Sequence, residues 1–296
     1  MADLPSPTYP RVLRRVWRLS DPSTRSLRKN NALGRETLHQ RLATIRGRYW
    51  VCSETGQLER DRPPRKPDEI SDLYDEWWLH EIAKGPPSRE RVENQRAFLR
   101  GFENYRATGR LFEVGSGLGH VLKAAVEEGW KAEGNELSPV AARFASEFSG
   151  APVAPGPIEN VDLEREVFDV ILLKNVFEHL EDPRAVLVRM ATALRRGGVL
   201  YLQTLDAQSL SLLLNPTAWT HFIEGHLVVP TLVSLEHYFQ AAGLRPASLE
   251  THGFSTKTGI KREKGSWLRR RADKWMATLA ARLGLGHRVR AILERV

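Results

Sequence analysis

The sequence predicts an α/β fold, a parallel sheet with helices packed on both faces. Two observations carry that expectation. Short apolar, β-branched runs alternate with helix-length segments between Arg110 and Thr251, and a glycine-rich turn joins the first strand of the series to its helix. With 296 residues, 41% hydrophobic and 27% charged, the chain has material for a sizeable core and none of the character of a disordered polymer.

Taken in order, residues 1–66 form a basic N-terminal extension of weak periodicity, with a short basic helix expected at Arg11 to Leu19 and a Pro/Arg-rich linker at Arg62 to Pro67. Residues 67–109 are a helical linker, in which Val92, Phe98, Leu99, Phe102 and Tyr105 recur at helical spacing. Residues 110–256 hold the alternating elements. Arg110 to Val114 reads as a strand and Leu118 to Glu128 as a helix stopped by Gly129. Lys131 to Glu136 is a second strand, and Ser138-Pro139 caps a helix running to about Phe148. A short strand is expected at Val153 and a buried one at Phe168 to Leu173. Asp182 caps a helix that begins at Pro183 and is expected to stop at Gly197-Gly198. Val199 to Thr204 is a strand, a helix runs from Leu232 to Gly243, and Ala247 to Thr251 reads as another strand. Residues 257–296 read as a basic amphipathic tail of helices, broken at Gly284 and Gly286.

The segment Leu111-Phe112-Glu113-Val114-Gly115-Ser116-Gly117-Leu118-Gly119-His120 sits at a strand-to-helix turn. Glycines there let the backbone turn sharply and approach a ligand, and the helix N-terminus behind them offers unpaired N–H groups. The dinucleotide fingerprint is G-x-G-x-x-G. Here the third glycine comes one residue early and Glu113 ends the strand. A carboxylate at that point repels a pyrophosphate and suits a ligand with an amino group, as in S-adenosylmethionine. Glu136 ends the next strand 23 residues later, where a carboxylate accepts hydrogen bonds from ribose hydroxyls. Leu137 beside it is expected against the adenine. A tight structural turn and a solvated strand-end glutamate are the plain alternatives.

With these motifs, the chain resembles the class I S-adenosylmethionine-dependent methyltransferases, in the small-molecule branch similar to the quinone O-methyltransferases. Leu111–His120, Gly129–Pro139, Phe168–Leu180, Leu194–Thr204 and Glu224–Leu227 carry the likeness over about residues 89–253. The resemblance implies a Rossmann-like fold with a seven-stranded, mostly parallel sheet and an antiparallel edge hairpin. It implies that Glu113, Gly115, Gly117 and Gly119 hold the methionyl end of S-adenosylmethionine and Glu136 the ribose. Ile158, Glu159 and Asn160 would lie near the adenine, and Lys174, Asn175 and Val176 would line the methyl-transfer face. Leu73-Tyr74-Asp75-Glu76-Trp77-Trp78 resembles the family's aromatic lid segment, with simple helix packing as the other reading. Cys52-Ser53-Glu54-Thr55-Gly56 resembles half of the zinc ribbon many relatives carry, with Thr at its second cysteine. A lone cysteine completes neither a disulfide nor a multi-cysteine zinc site, so no metal is expected.

Methyl transfer to a hydroxyl benefits from a base titrating near the working pH, which makes His179, His221 and His226 the candidates. Each is alternatively a hydrogen-bonded structural histidine. Trp219 and Phe222 either wall an acceptor pocket or belong to the core. The small-molecule acceptor itself is not readable.

Charge is segregated. The net is +9 over residues 1–66, −10 over 67–256 and +9 over 257–296. Basic flanks attract nucleic acid, anionic lipid or an acidic partner, or dock on the acidic middle of their own chain. The arginines lack the interleaved aromatics of a nucleic-acid binder, so that partner is not expected. Leu268, Trp275, Met276, Leu279 and Leu283 fall on one helical face opposite Arg269, Arg270, Lys274 and Arg282, a pattern of membrane-surface or partner-binding helices. With no apolar run near the ~20 residues of a bilayer span and no leader-like N-terminus, the expected setting is cytoplasmic, with a peripheral membrane contact through the tail as an option.

Overall fold

The computed structural model of the chain describes residues 26–30, 35–44, 47–52, 54–61, 67–214, 219–223, 225–254 and 267–296. The chain divides into two compact units. One comprises Met1–Arg62, Leu205–Leu235 and Glu250–Val289, the other Pro63–Thr204, Glu236–Leu249 and Arg290–Val296.

The first unit contains a five-stranded sheet. Strands β1 (Ser26–Asn30), β2 (Arg35–Thr44), β3 (Gly47–Cys52) and β4 (Leu58–Asp61) form an antiparallel meander, and a short strand at Val228–Val229 pairs antiparallel with β4. The sequence reading expected no strands here. Tyr49, Trp50, Val51 and Cys52 are all buried, so β3 lacks the in–out alternation that would have revealed it. Tyr49, Val51, Leu58, Leu205, Trp219, Phe222 and Val229 make this unit's core. Trp219 is 1% exposed, with Phe222 packed on it at 5.4 Å; these aromatics are core. The expected helix at Arg11 to Leu19 and linker residues Arg62 to Lys66 lie outside the described residues, and Pro67 opens a helix.

The larger sheet is built from β5 (Arg110–Val114), β6 (Lys131–Glu136), β7 (Val153–Pro155), β8 (Phe168–Lys174) and β9 (Leu194–Leu205), with β11 (Leu244–His252) and β12 (Arg288–Arg295) following the short β10 at Val228–Val229. Its order is β11-β12-β9-β8-β5-β6-β7, and the pairs β5–β6, β5–β8, β6–β7 and β8–β9 are parallel. The helices are α1 (Pro67–Ile82), α2 (Arg89–Leu99), α3 (His120–Glu127), α4 (Pro139–Ser149), α5 (Pro183–Ala193), α6 (Leu210–Leu214), α7 (Leu232–Ala241) and α8 (Trp267–Arg282).

The caps work as the sequence predicts. The Ser138 and Asp182 side chains accept hydrogen bonds from the N–H groups of Ala141 and Ala185, and Pro139 and Pro183 occupy the first helical turn. Leu111, Val170, Leu172, Val199 and Tyr201 pack with Val121, Leu122, Ala124 and Ala125 of α3 and with Leu99 and Phe102. Burial on both faces makes Val170–Leu173 of β8 an unbroken apolar run.

Two expectations need correction. Helix α5 ends at Ala193 and β9 starts at Leu194, so Gly197-Gly198 does not stop the helix. The pair instead absorbs a register shift: Phe168 faces Leu194, but Val170 faces Val199. A side chain at Gly198 would lie 2.6 Å from the Phe168 carbonyl oxygen. The tail, moreover, is not helical to its end. Residues Arg288–Arg295 form β12, inserted between β11 and β9. Val289, Ala291 and Leu293 are buried while Arg290 between them is exposed, a period of two that outweighs helical spacing.

Candidate cofactor and methyl-transfer site

The site begins at the carboxyl ends of β5 and β6. Gly115, Gly117 and Gly119 adopt φ of +66°, +54° and +75°, the left-handed region that glycine enters without penalty. They also allow close packing. A Cβ at Gly115 would sit 2.6 Å from Val176 Cγ2, one at Gly117 2.8 Å from the Trp78 ring, and one at Gly119 2.9 Å from the Ala145 carbonyl oxygen. The Ser116 N–H donates to the Asn135 carbonyl oxygen at 2.9 Å, tying the turn to β6.

Glu113 is 4% exposed, and its Oε2 has no hydrogen-bond partner among the described residues. Burial pushes this carboxyl up to about 8, against the opposing pull of the Lys174 charge, while the Glu136 carboxylate pushes the same way as burial. Glu136 is likewise buried, and burial raises it against the opposing hydrogen bonds of the Gly117, Ser138 and Leu137 backbone and the Trp78 side chain. Gly117 N–H donates to its Oε2 at 2.9 Å and Ser138 N–H to its Oε1 at 3.2 Å. Leu137, next in the chain, is half-buried.

Beyond β7, Ile158–Asn160 form one helical turn with Ile158 buried and Glu159 and Asn160 exposed. Beyond β8, Asn175 stands at φ +56° and accepts from Gln203 Nε2 at 2.9 Å. Lys174 Nζ donates to Gln95 Oε1 at 2.6 Å and lies 4.6 Å over the Phe98 ring. Burial lowers the Lys174 ammonium, opposed by the Glu113 charge. His120, at the N-terminus of α3, is pushed down to about 4 by burial, with the Lys174 and Arg91 cations acting in the same sense; it is a neutral imidazole at physiological pH.

Helix α1 reaches three points of this region. Tyr74 Oη and His179 Nδ1 are 2.8 Å apart, Asp75 hydrogen-bonds Ser138 Oγ, and Trp78 covers Gly117. The aromatic segment thus closes over the glycine turn. His179 sits on a turn whose neighbours are pinned: Glu178 Oε2 accepts from Thr204 Oγ1 at 2.8 Å, and Phe177 packs edge-on to Tyr238 at 5.2 Å.

Among the sequence-derived candidates, the structure brings Glu113, Gly115, Gly117, Gly119 and Glu136 into one cradle, with Val176 against Gly115 and Lys174 beside Glu113. His221 and His226 belong to the other unit. There His226 Nδ1 is bonded to the His221 carbonyl oxygen at 2.6 Å, and the His221 ring stacks on His287 at 5.1 Å. Sequence reasoning missed Tyr74 as a partner of His179, and Gln203 and Gln95 as polar partners at the β8 end. The aromatic segment was the signal for the first; nothing in the sequence singled out the glutamines.

The cradle fits S-adenosylmethionine. Its unpartnered buried carboxylate oxygen matches an ammonium, the Glu136 carboxylate at the end of β6 offers acceptors of the kind a diol needs, and the glycines keep the turn clear of side chains.

A family described as a methyltransferase domain matches residues 88–249. Ubiquinone biosynthesis O-methyltransferase of Idiomarina loihiensis is 27% identical over 187 residues, 58% of this chain and 73% of that protein. The protein of the same name from Bordetella avium is 27% identical over 209 residues, 63% and 80% of the two chains. A solved S-adenosylmethionine-dependent methyltransferase of Archaeoglobus fulgidus superposes with a TM-score of 0.50 at 18% identity, covering 74% of this chain and 99% of its own, which shows a shared fold. The chain belongs to this methyltransferase-domain family and is a class I S-adenosylmethionine-dependent methyltransferase.

Proposed function

We propose that the enzyme methylates a small-molecule acceptor at oxygen. The observation that carries this reading is the Tyr74–His179 pair at the end of β8, next to a turn shaped for the cofactor. S-adenosylmethionine, when bound, supplies an electrophilic methyl group on a sulfonium. Glu113 holds its ammonium, the Gly115–Gly119 turn its methionyl chain and Glu136 its ribose, with Leu137 and Ile158–Asn160 around the adenine. Asn175 and Val176 border the acceptor.

His179 is the base. In the tautomer whose Nδ1–H donates to Tyr74 Oη, the lone pair is on Nε2, which takes the proton from the acceptor hydroxyl. Tyr74 holds the ring orientation and the tautomer as the imidazolium forms. Helix α1, lying over the glycine turn, excludes water from the reacting groups. The names of the two relatives support oxygen as the methylated atom. Turnover of a panel of phenols, catechols, amines and carboxylates tests the reading. Methylation confined to hydroxyl acceptors supports it, and methylation confined to amines overturns it.

A further inference from the structure

Helix α8 has an outer face that the catalytic reading leaves unused. Its inner side is fixed by Ala280, which is fully buried. Arg271, Trp275, Leu279 and Leu283 follow one another at four-residue steps and so form one row along the helix; Leu283 stays in the row because its N–H still donates to the Leu279 carbonyl oxygen. Trp275 is 65% exposed and Leu283 59% exposed. The neighbouring row is Lys274, Thr278 and Arg282, all exposed. Between Trp267 and Leu283 the one acidic residue is Asp273.

We propose that this face docks on the surface of an anionic lipid bilayer, Trp275 and Leu283 entering the interfacial zone while Lys274 and Arg282 meet the headgroup charges. Three features select that occupant. The apolar row is bordered on its solvent side by the cations Lys274 and Arg282, the pattern of helices that lie in the membrane plane. A second copy of the helix would set arginine against arginine beside the apolar contact, which disfavours self-association. Nucleic acid satisfies the cations but leaves Leu279 and Leu283 without a partner, because base recognition uses aromatic stacking. At 16 residues the helix is about 24 Å long, and among the described residues no helix is long and apolar enough to cross a membrane. The contact is therefore peripheral, and it suits an enzyme whose acceptor is held at a bilayer.

The test is flotation of the full chain with vesicles of phosphatidylcholine, with and without phosphatidylglycerol. Binding is expected only with phosphatidylglycerol. The double variant Trp275→Ser/Leu283→Ser should lower the partition coefficient by roughly tenfold or more, since buried apolar area sets the strength. The variant Lys274→Gln/Arg282→Gln should lower it comparably, as expected for basic residues at an anionic surface. Both variants should keep the thermal midpoint and the affinity for S-adenosylhomocysteine, the positions being exposed and outside the cofactor site. Absence of vesicle binding, binding unchanged in both variants, or a concentration-dependent dimer lost in Trp275→Ser/Leu283→Ser would each overturn the proposal, as would salt-sensitive RNA retention without vesicle binding.

Discussion

Glu113 and Glu136 show how two carboxylates at equivalent strand ends acquire different tasks. Glu136 already accepts two backbone N–H groups, so its charge is partly compensated. Glu113 has an oxygen with no such donor, and burial holds it up at about 8. Below that value the carboxyl is protonated and cannot pair with an ammonium. Cofactor affinity should therefore rise as the pH is raised toward 8, with a proton released on binding. Glu113→Gln should remove that rise and weaken binding by the ~1.5–3 kcal/mol of a charge-assisted hydrogen bond; calorimetry in buffers of different ionisation enthalpy reads both. For His179→Gln, the expected outcome is a fall in kcat of about 10²–10⁴ with cofactor affinity unchanged, and Tyr74→Phe should lower kcat less and alter the pH profile. Asp206 gives a separate check. Its Oδ2 is buried without a partner among the described residues, and burial raises the group from 3.8 to about 7. A carboxyl raised on folding contributes stability that is complete below its unfolded value and lost as pH rises through the folded value. The gain in thermal midpoint from Asp206→Asn should thus be larger at pH 8 than at pH 5, and an equal gain at both would refute the assignment.

At the scale of elements, the sequence exposed what local chemistry encodes. Ser138-Pro139 and Asp182-Pro183 announced their helices, and Gly115 to Gly119 announced the turn, because caps and left-handed glycines act over a few residues. What stayed hidden depends on distant partners. Strand β3 is buried on both faces by the rest of its unit, and β12 finds its place only by entering between β11 and β9, so helix and strand competed on equal local terms. The hydrogen bond between Tyr74 and His179 joins residues 105 apart, which no spacing rule reaches. A deletion of residues 284–296 is the corresponding prediction. If the tail were an appendage the enzyme would fold without it; with β12 inside the sheet, the truncated chain should lose cooperative unfolding. Gly117→Ala should weaken cofactor binding about tenfold, as expected for a Cβ in left-handed backbone pressed on the Trp78 ring, with partial recovery in Gly117→Ala/Trp78→Ala.

On the scale of the whole molecule, the segregation of charge is the feature composition alone would have obscured. The pI of about 9.8 belongs to the two ends of the chain, while the stretch that carries the cofactor cradle is acidic. An acidic surround favours a sulfonium- and ammonium-bearing ligand over a phosphate-rich one, in line with Glu113 in place of an open phosphate loop. Recognition of a cationic amino-acid nucleoside by this cradle is therefore the molecule's defining property. Isothermal titration of the purified chain with S-adenosylhomocysteine tests it most directly. The prediction is one-site binding that is weakened at least tenfold in Glu113→Gln and in Glu136→Ala, changes on the order of 1.4 kcal/mol or more. Binding that is absent, or equally strong in both variants, would contradict it.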